Sequence, residues 1–268
     1  MISCKEYVEI QKKELKDKIS SFRRKPCLCV VQIGDNQASN SYIKSKKNMC
    51  DELGIEFKHV HITNDIGQEE LENKVFELSL NYNIDGVIIQ LPIPNKYNVD
   101  KLQQNISVCK DVDGFRGESL FSPCTPLGII EWLKYNGFDF IGKNVVVVGR
   151  SKIVGLPLTE MLIKEGATVT CCNSSTNSLS RYMFNADLVI TAIGKPKFFN
   201  KFDFNGTKII VDVGINRDEN GKLCGDVDPC NLEEYTGAYL TPVPGGVGKL
   251  TVLSLMKNVV EAYEIFNS

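Results

Sequence analysis

Histidine is nearly absent from this chain, with only His59 and His61 among 268 residues. The two alternate within a short stretch and so share one face of a strand. No third ligand lies near them in sequence, so no metal is expected. No apolar run approaches the ~18 residues of a membrane span. The opening MISCKEYVEIQKKELKDK is charged and amphipathic, unlike a signal peptide. An excess of either charge is missing too. Lys and Arg number 31 against 33 Asp and Glu, a formal −2, which gives no electrostatic reason to expect a nucleic acid or a membrane as partner. The short basic cluster Arg23-Arg24-Lys25 reads as a solvated helix end. Cysteine is plentiful but unorganised: neither Cys27-x-Cys29 nor Cys171-Cys172 has the spacing of a zinc or redox motif. Buried, reduced thiols in a cytoplasmic enzyme are the expectation.

What the chain does have is alternation. Residues 5–24 carry a helical pattern, with Val8, Leu15, Ile19 and Phe22 on one side. CLCVVQIG (27–34) reads as a buried strand, and 39–53 as a helix that Gly54 ends. A strand near 55–62, a helix near 68–81 and the strand DGVIIQLP (85–92) follow. After KDVDGF (110–115), Thr125-Pro126 looks like a helix cap with proline at the first helical position, opening a helix over 126–136. Next come strand 143–148, helix 155–165, strands 167–172, 186–191 and 207–213, a Pro/Gly loop at 241–248 and a last amphipathic helix from about 250 to 266. The expected fold is α/β in two domains, each a mostly parallel sheet covered by helices, with a cleft as the natural ligand site.

The stretch VVVVGRSKIVGLP (145–157) has the form of a nucleotide-binding turn. Gly149 permits a tight turn, Gly155 close approach of helix and strand, and the helix start offers N–H groups to a phosphate. Ser151 stands where a second glycine is usual, so a plain βα turn without ligand remains an open reading of the loop alone. The following strand, ATVTCCNSST (167–176), lacks the terminal acid that holds the ribose hydroxyls in NAD-specific folds. Hydroxyls there, with Arg150, suit a 2′-phosphate, so NADP is favoured over NAD.

In SNSYIKSKKNMCDELGI (39–55), Ser39, Tyr42 and Lys46 share one helical face, although Lys44 and Lys47 also fit a merely solvated surface. Gln90 ends the run VIIQ, and Asp113 lies in the turn KDVDGF. Each is weak alone.

Taken in order, SNSYIKSKKNMCDELGI, DGVIIQLPIP, KDVDGF, PCTPLGI, VVVVGRSKIVGLP, GKP (194–196), IIVDVGIN (209–216), GDVD (225–228) and TPVPGGVGKLT (241–251) resemble the bifunctional methylenetetrahydrofolate dehydrogenase/cyclohydrolase family. The resemblance spans almost the whole chain. It implies a folate-binding catalytic domain over 1–118 and 249–268 and a Rossmann-type NADP-binding domain over 119–248, with the substrate between them. It implies hydride transfer from methylenetetrahydrofolate to NADP, then hydrolysis of the methenyl product to formyltetrahydrofolate, a one-carbon step feeding purine biosynthesis. A dehydrogenase-only enzyme, or a non-catalytic NADP sensor, is the alternative.

By position, the resemblance gives Lys46 the catalytic lysine's place, with Gln90 positioning it, Tyr42 packing on the folate and Asp113 holding the pterin. Ser39 would support the lysine or its loop. Leu91, Pro244, Gly245 and Gly246 would join the substrate contacts. Gly149, Arg150, Ser151, Val154, Gly155, Ser174, Gly194, Ile215 and Gly246 fall on cofactor positions, and Gly245, Gly246 and Val247 would form a close wall beside the nicotinamide. Thr251 would start the last helix. A homodimer, with folate and NADP as ligands and no metal, is implied. Two departures stand out: GFRGESLFS (114–122) is short, and Lys249 replaces a usual proline.

Overall fold

The computed structural model describes residues 1–267, with the side chains of residues 37 and 38 left aside. The chain forms two compact units, one of Glu9–Cys124 with the chain from Val252 onward, the other of Met1–Val8 with Thr125–Thr251. Where the sequence reading put the first residues with the folate-binding part, Met1–Val8 groups with 125–251. The reason is specific: Ile2 N donates to Asn136 Oδ1 at 2.6 Å, Trp132 Nε1 donates to Ile2 O at 3.2 Å, and the rings of Tyr7 and Tyr135 lie 5.1 Å apart.

The first unit contains most of α1 (Cys4–Ser20), then β1 (Cys27–Ile33), α2 (Gln37–Leu53), β2 (Glu56–Ile62), α3 (Gln68–Leu80), β3 (Gly86–Gln90) and α4 (Val99–Gln104). Its sheet is parallel, in the order β2-β1-β3. Every residue of β1 is buried, as a central strand covered on both faces requires. Cys27, Cys29, Val31 and Ile33 pack with Leu71, Val75, Val87 and Ile89, each such aliphatic chain stabilising the fold by roughly 1.5–3 kcal/mol. Burial pushes the Cys27 thiol up to about 12, so it stays a neutral packing group.

Arg24 corrects the reading of its basic cluster as a solvated end. Its guanidinium makes two 2.7 Å bonds to Asp85, which is 1% exposed and also accepts Cys27 N. Tyr263 lies beneath it, 4.9 Å from guanidinium carbon to ring centre. Only the Asp85 end is buried, the Arg24 side chain being 34% exposed, so removing Arg24 would leave a buried carboxylate short of two donors. The histidines stack 6.3 Å apart and bond Gln32 and Gly34. Among the described residues no cluster of three metal-ligating side chains forms, and no helix is long and apolar enough to cross a membrane.

The second unit carries α5 (Cys124–Tyr135), β4 (Asn144–Val148), α6 (Gly155–Lys164), β5 (Thr168–Cys172), α7 (Leu179–Met183), β6 (Leu188–Thr191), β7 (Ile209–Asp212), the hairpin β8 (Asn216–Arg217) and β9 (Leu223–Cys224), α8 (Leu232–Thr236) and β10 (Tyr239–Leu240). α9 (Val247–Asn267) follows. Five strands pair in parallel in the order β10-β7-β6-β4-β5. The chain moves from β4 to β5 on one side and then to β6 on the other. The carboxyl end of β4 is therefore the topological switch point, where such sheets bind ligands.

Two helix starts differ from expectation. α5 opens at Cys124, so Thr125 lies inside its first turn, where its hydroxyl meets Thr251 Oγ1 at 2.9 Å. α9 opens at Val247, a turn before the expected start, so Thr251 sits within the helix and donates back to Val247 O.

Candidate active site

In the first unit, α2 carries Tyr42 and Lys46 toward the carboxyl end of β3. Parallel pairing sets Gln90 beside Gln32 at the last register position of β1 and β3. Lys46 Nζ donates to Gln90 Oε1 at 2.9 Å, and Gln90 Nε2 donates to Leu91 O at 2.7 Å. The amide of Gln90 is 7% exposed and fixed at both ends, so it can aim the amine without competing water. Tyr42, one turn before Lys46 on the same helix, is 39% exposed. Ser39 is 1% exposed, and among the described residues its hydroxyl has no hydrogen-bond partner, so it makes no bond to Lys46; its backbone N donates to Asn36 Oδ1 at 3.2 Å.

Asp113 stands in the turn after a segment that runs beside β3, where Val87 N donates to Lys110 O at 2.9 Å. Burial pushes its carboxyl above the ordinary range. The positive charge of Lys46 opposes that rise, Asp111 adds to it, and a hydrogen bond with Cys124 opposes it. Asn258, which the sequence reading missed, holds this turn from α9. Its Nδ2 donates to Val112 O at 2.8 Å and Ser122 O at 3.2 Å while 2% exposed. An amide in the otherwise apolar stripe of the last helix was the available signal.

The short 114–122 segment is a fastened loop. Arg116 donates through its guanidinium to Gln104 O and Ile106 O and through its backbone to Asp111 Oδ2, and Ser119 Oγ donates to Asp111 O at 2.9 Å. Its two ends are closed together by Asn258. What the sequence presents as a deletion is a tight edge to the Asp113 turn.

In the second unit, Gly149 leaves β4 at φ +126, a conformation side chains resist, and a Cβ there would press on Ala192. At Gly155 the limit is space: a Cβ would overlap Gly149 O. The expected free N–H groups at the start of α6 are in part engaged. Ser151 Oγ accepts from Val154 N at 3.2 Å and Gly155 N at 3.4 Å, while Ser151 O accepts from Leu156 N at 3.0 Å. Ser151 thus engages two of the amides at the helix start, and its O–H remains available as a donor. Arg150 and Ser174 are exposed, and the turn after β5 is held by Asn173 and Thr176 without a carboxylate. Gly194 and Ile215 follow β6 and β7 on the same carboxyl edge. In the 241–248 loop, a Cβ on Gly246 would overlap Pro242 O, so the loop closes on itself there, whereas Gly245 has open space around it. Pro244 and Lys249 are exposed, and Val247 is buried.

Residues 2–113 match the model of the tetrahydrofolate dehydrogenase/cyclohydrolase catalytic domain, and residues 123–267 that of the same family's NAD(P)-binding domain. The bifunctional protein FolD of Agathobacter rectalis is 40% identical over 263 residues, covering 94% of each chain. The crystal structure of the Campylobacter jejuni bifunctional methylenetetrahydrofolate dehydrogenase/cyclohydrolase superposes with a TM-score of 0.94 at 39% identity, covering 98% of each chain. The Trypanosoma brucei enzyme, complexed with NADP and an inhibitor, reaches 0.91 at 29% identity, covering 99% of this chain and 97% of its own.

Proposed function

This chain belongs to the tetrahydrofolate dehydrogenase/cyclohydrolase family, and on that premise we propose that it oxidises 5,10-methylenetetrahydrofolate with NADP and hydrolyses the methenyl product to 10-formyltetrahydrofolate. The observation that carries the reading is the bond from Lys46 Nζ to Gln90 Oε1, made in the unit that also holds Asp113. NADP, when bound, supplies the hydride acceptor. The chain's own residues do the rest. Asp113 accepts from the pterin's amino and ring N–H donors, for which a charged acceptor suits two donors. Tyr42 packs on the folate, with Leu91 as a further contact. Water adds to the methenyl carbon, and Lys46, aimed by Gln90, moves the protons that this addition and the ring opening require.

On the cofactor side, the residues present fit the group: Gly149, Ser151, Val154 and Gly155 make a turn at the switch point, with Gly194, Ile215 and Gly246 on the loops beyond. The absence of a carboxylate after β5, together with exposed Arg150 and Ser174, supports a 2′-phosphate. Arg150→Ala is expected to raise KM for NADP about tenfold or more while moving KM for NAD much less, the loss of a charge-assisted pair. Initial rates with methylenetetrahydrofolate and each cofactor measure this. Equal effects would put the arginine on the pyrophosphate or adenine instead.

A pH dependence follows from Asp113. The carboxylate is the binding form, and its folded-state pKa is raised, so affinity is full above that pKa and lost as pH falls through it. The KM for folate should therefore climb on acidification at a higher pH than an exposed carboxylate (about 4) would give. Asp113→Asn should flatten the profile. An unchanged slope in that variant would remove Asp113 from the pterin contacts. Within this reading the enzyme is cytoplasmic and a homodimer.

A further inference from the structure

Two buried carboxylates of the second unit have no part in the chemistry above: Asp212, ending β7, and Asp226, just after β9, 2% and 0% exposed. A carboxylate survives burial only where donors surround it. Asp226 Oδ2 accepts from Ile193 N at 2.7 Å and Gly194 N at 3.3 Å. Its Oδ1 accepts from Lys195 N at 2.9 Å and from Asn216 Nδ2 at 2.9 Å. Asp226 is itself held by Asp212, whose Oδ1 accepts from Asp226 N at 3.0 Å and Gly214 N at 2.9 Å, and whose Oδ2 accepts from Val227 N at 2.9 Å. The loops close on these groups without spare room. A Cβ on Gly214 would lie 2.5 Å from Asp226 Cγ, and one on Gly225 would lie 2.5 Å from Asp212 Cγ.

We propose that Asp226 is a positioning residue for the cofactor: its carboxylate clamps the loop of Gly194 to the loop of Ile215 and Asn216, fixing both before NADP arrives. The inference rests on assigning those loops to NADP. The ends of β6 and β7 and the start of β8 meet at this point. The β8–β9 ladder holds Asn216 to Cys224, but among the described residues no strand pairing joins Gly194 to Ile215 or Asn216. A carboxylate is the side chain that serves all four donors at once, because each of its oxygens accepts two bonds and both share the charge. An amide there would turn an N–H₂ group toward two N–H donors. Loops released in this way must be ordered by the cofactor, and the ordering cost appears as lost affinity.

The test titrates NADP by calorimetry into the wild-type chain, Asp226→Asn and Asn216→Ala, with initial rates at saturating NADP alongside. Asp226→Asn is expected to raise the Kd for NADP about tenfold or more and Asn216→Ala about threefold, with kcat changed less than about threefold in each, as for loss of charged hydrogen bonds that preorganise a site. A role confined to stability would lower the active fraction and leave Kd where it was, and that result overturns the proposal. Should Asp226→Asn not fold, Asn216→Ala decides alone: an unchanged Kd in it overturns the clamp. Wild-type chain that takes up no NADP would sink the cofactor assignment itself, a failure separate from that of the clamp.

Discussion

Lys46→Met is expected to abolish hydrolysis of methenyltetrahydrofolate, lowering its rate by about 10²-fold or more, the usual worth of a positioned general acid or base. Methionine keeps the length and apolar stem of the lysine and deletes the nitrogen, so packing on α2 changes little. What is lost is the group that Gln90 aims at 2.9 Å. Removing that partner leaves Gln90 still bonded to Leu91 O, at a stability cost of about 1 kcal/mol. Oxidation needs less acid–base help than hydration does, so the dehydrogenase rate should fall less than the hydrolysis rate. Following the disappearance of the methenyl substrate by its absorbance measures the first rate, and cofactor reduction the second. Normal hydrolysis by the variant would take Lys46 out of the mechanism and place the acid–base work of the hydrolysis on another group.

Gly155→Ala should be the most damaging single methyl group in the second unit. The added Cβ would overlap Gly149 O and lie 2.6 Å from Gly149 C and 3.0 Å from Arg150 Cα, all backbone atoms with no rotamer to escape into. Gly149 cannot yield, because its φ of +126 is already tied to its fit against Ala192. The loop must therefore open, pulling Gly155 N from Ser151 Oγ and turning the serine cap away. Overpacking of this kind costs about 1–3 kcal/mol in stability, and NADP affinity should fall about tenfold or more because the anion-binding turn is no longer preformed. Thermal melts with and without NADP separate the two effects. A variant whose melt still rises with NADP as the wild type's does would mean that this turn is not where the phosphates sit.

The elements with a long period were legible in the residues. β1 could be read because seven consecutive buried positions leave an apolar run closed by glycine. α2 could be read because Ser39, Tyr42 and Lys46 recur at helical spacing. The two-residue β10, the β8–β9 hairpin and the short α7 and α8 show no period at all, since their place depends on neighbours distant in sequence. The candidate site divides the same way. Gln90 was visible as a polar end to an apolar run, whereas Asn258 looked like one amide in a helix until the Asp113 turn was seen to hang from it. Arg24 looked solvated for the same reason, because Asp85 is 61 positions away.

The sequence by itself determined the α/β alternation, the glycine turn after β4, the missing acid after β5 and the family to which these motifs belong. Those are local facts, set by side-chain period, by backbone freedom and by which residue types stand next to one another. Only the tertiary structure decided that Ser151 consumes part of the helix start it was expected to leave free, that the Ser39 hydroxyl makes no hydrogen bond to the lysine among the described residues, and that Asp212 and Asp226 tie three loops together. Each of those outcomes turns on which donor reaches which acceptor across the chain, and hydrogen bonds of that kind exist only once packing has brought the partners within about 3 Å.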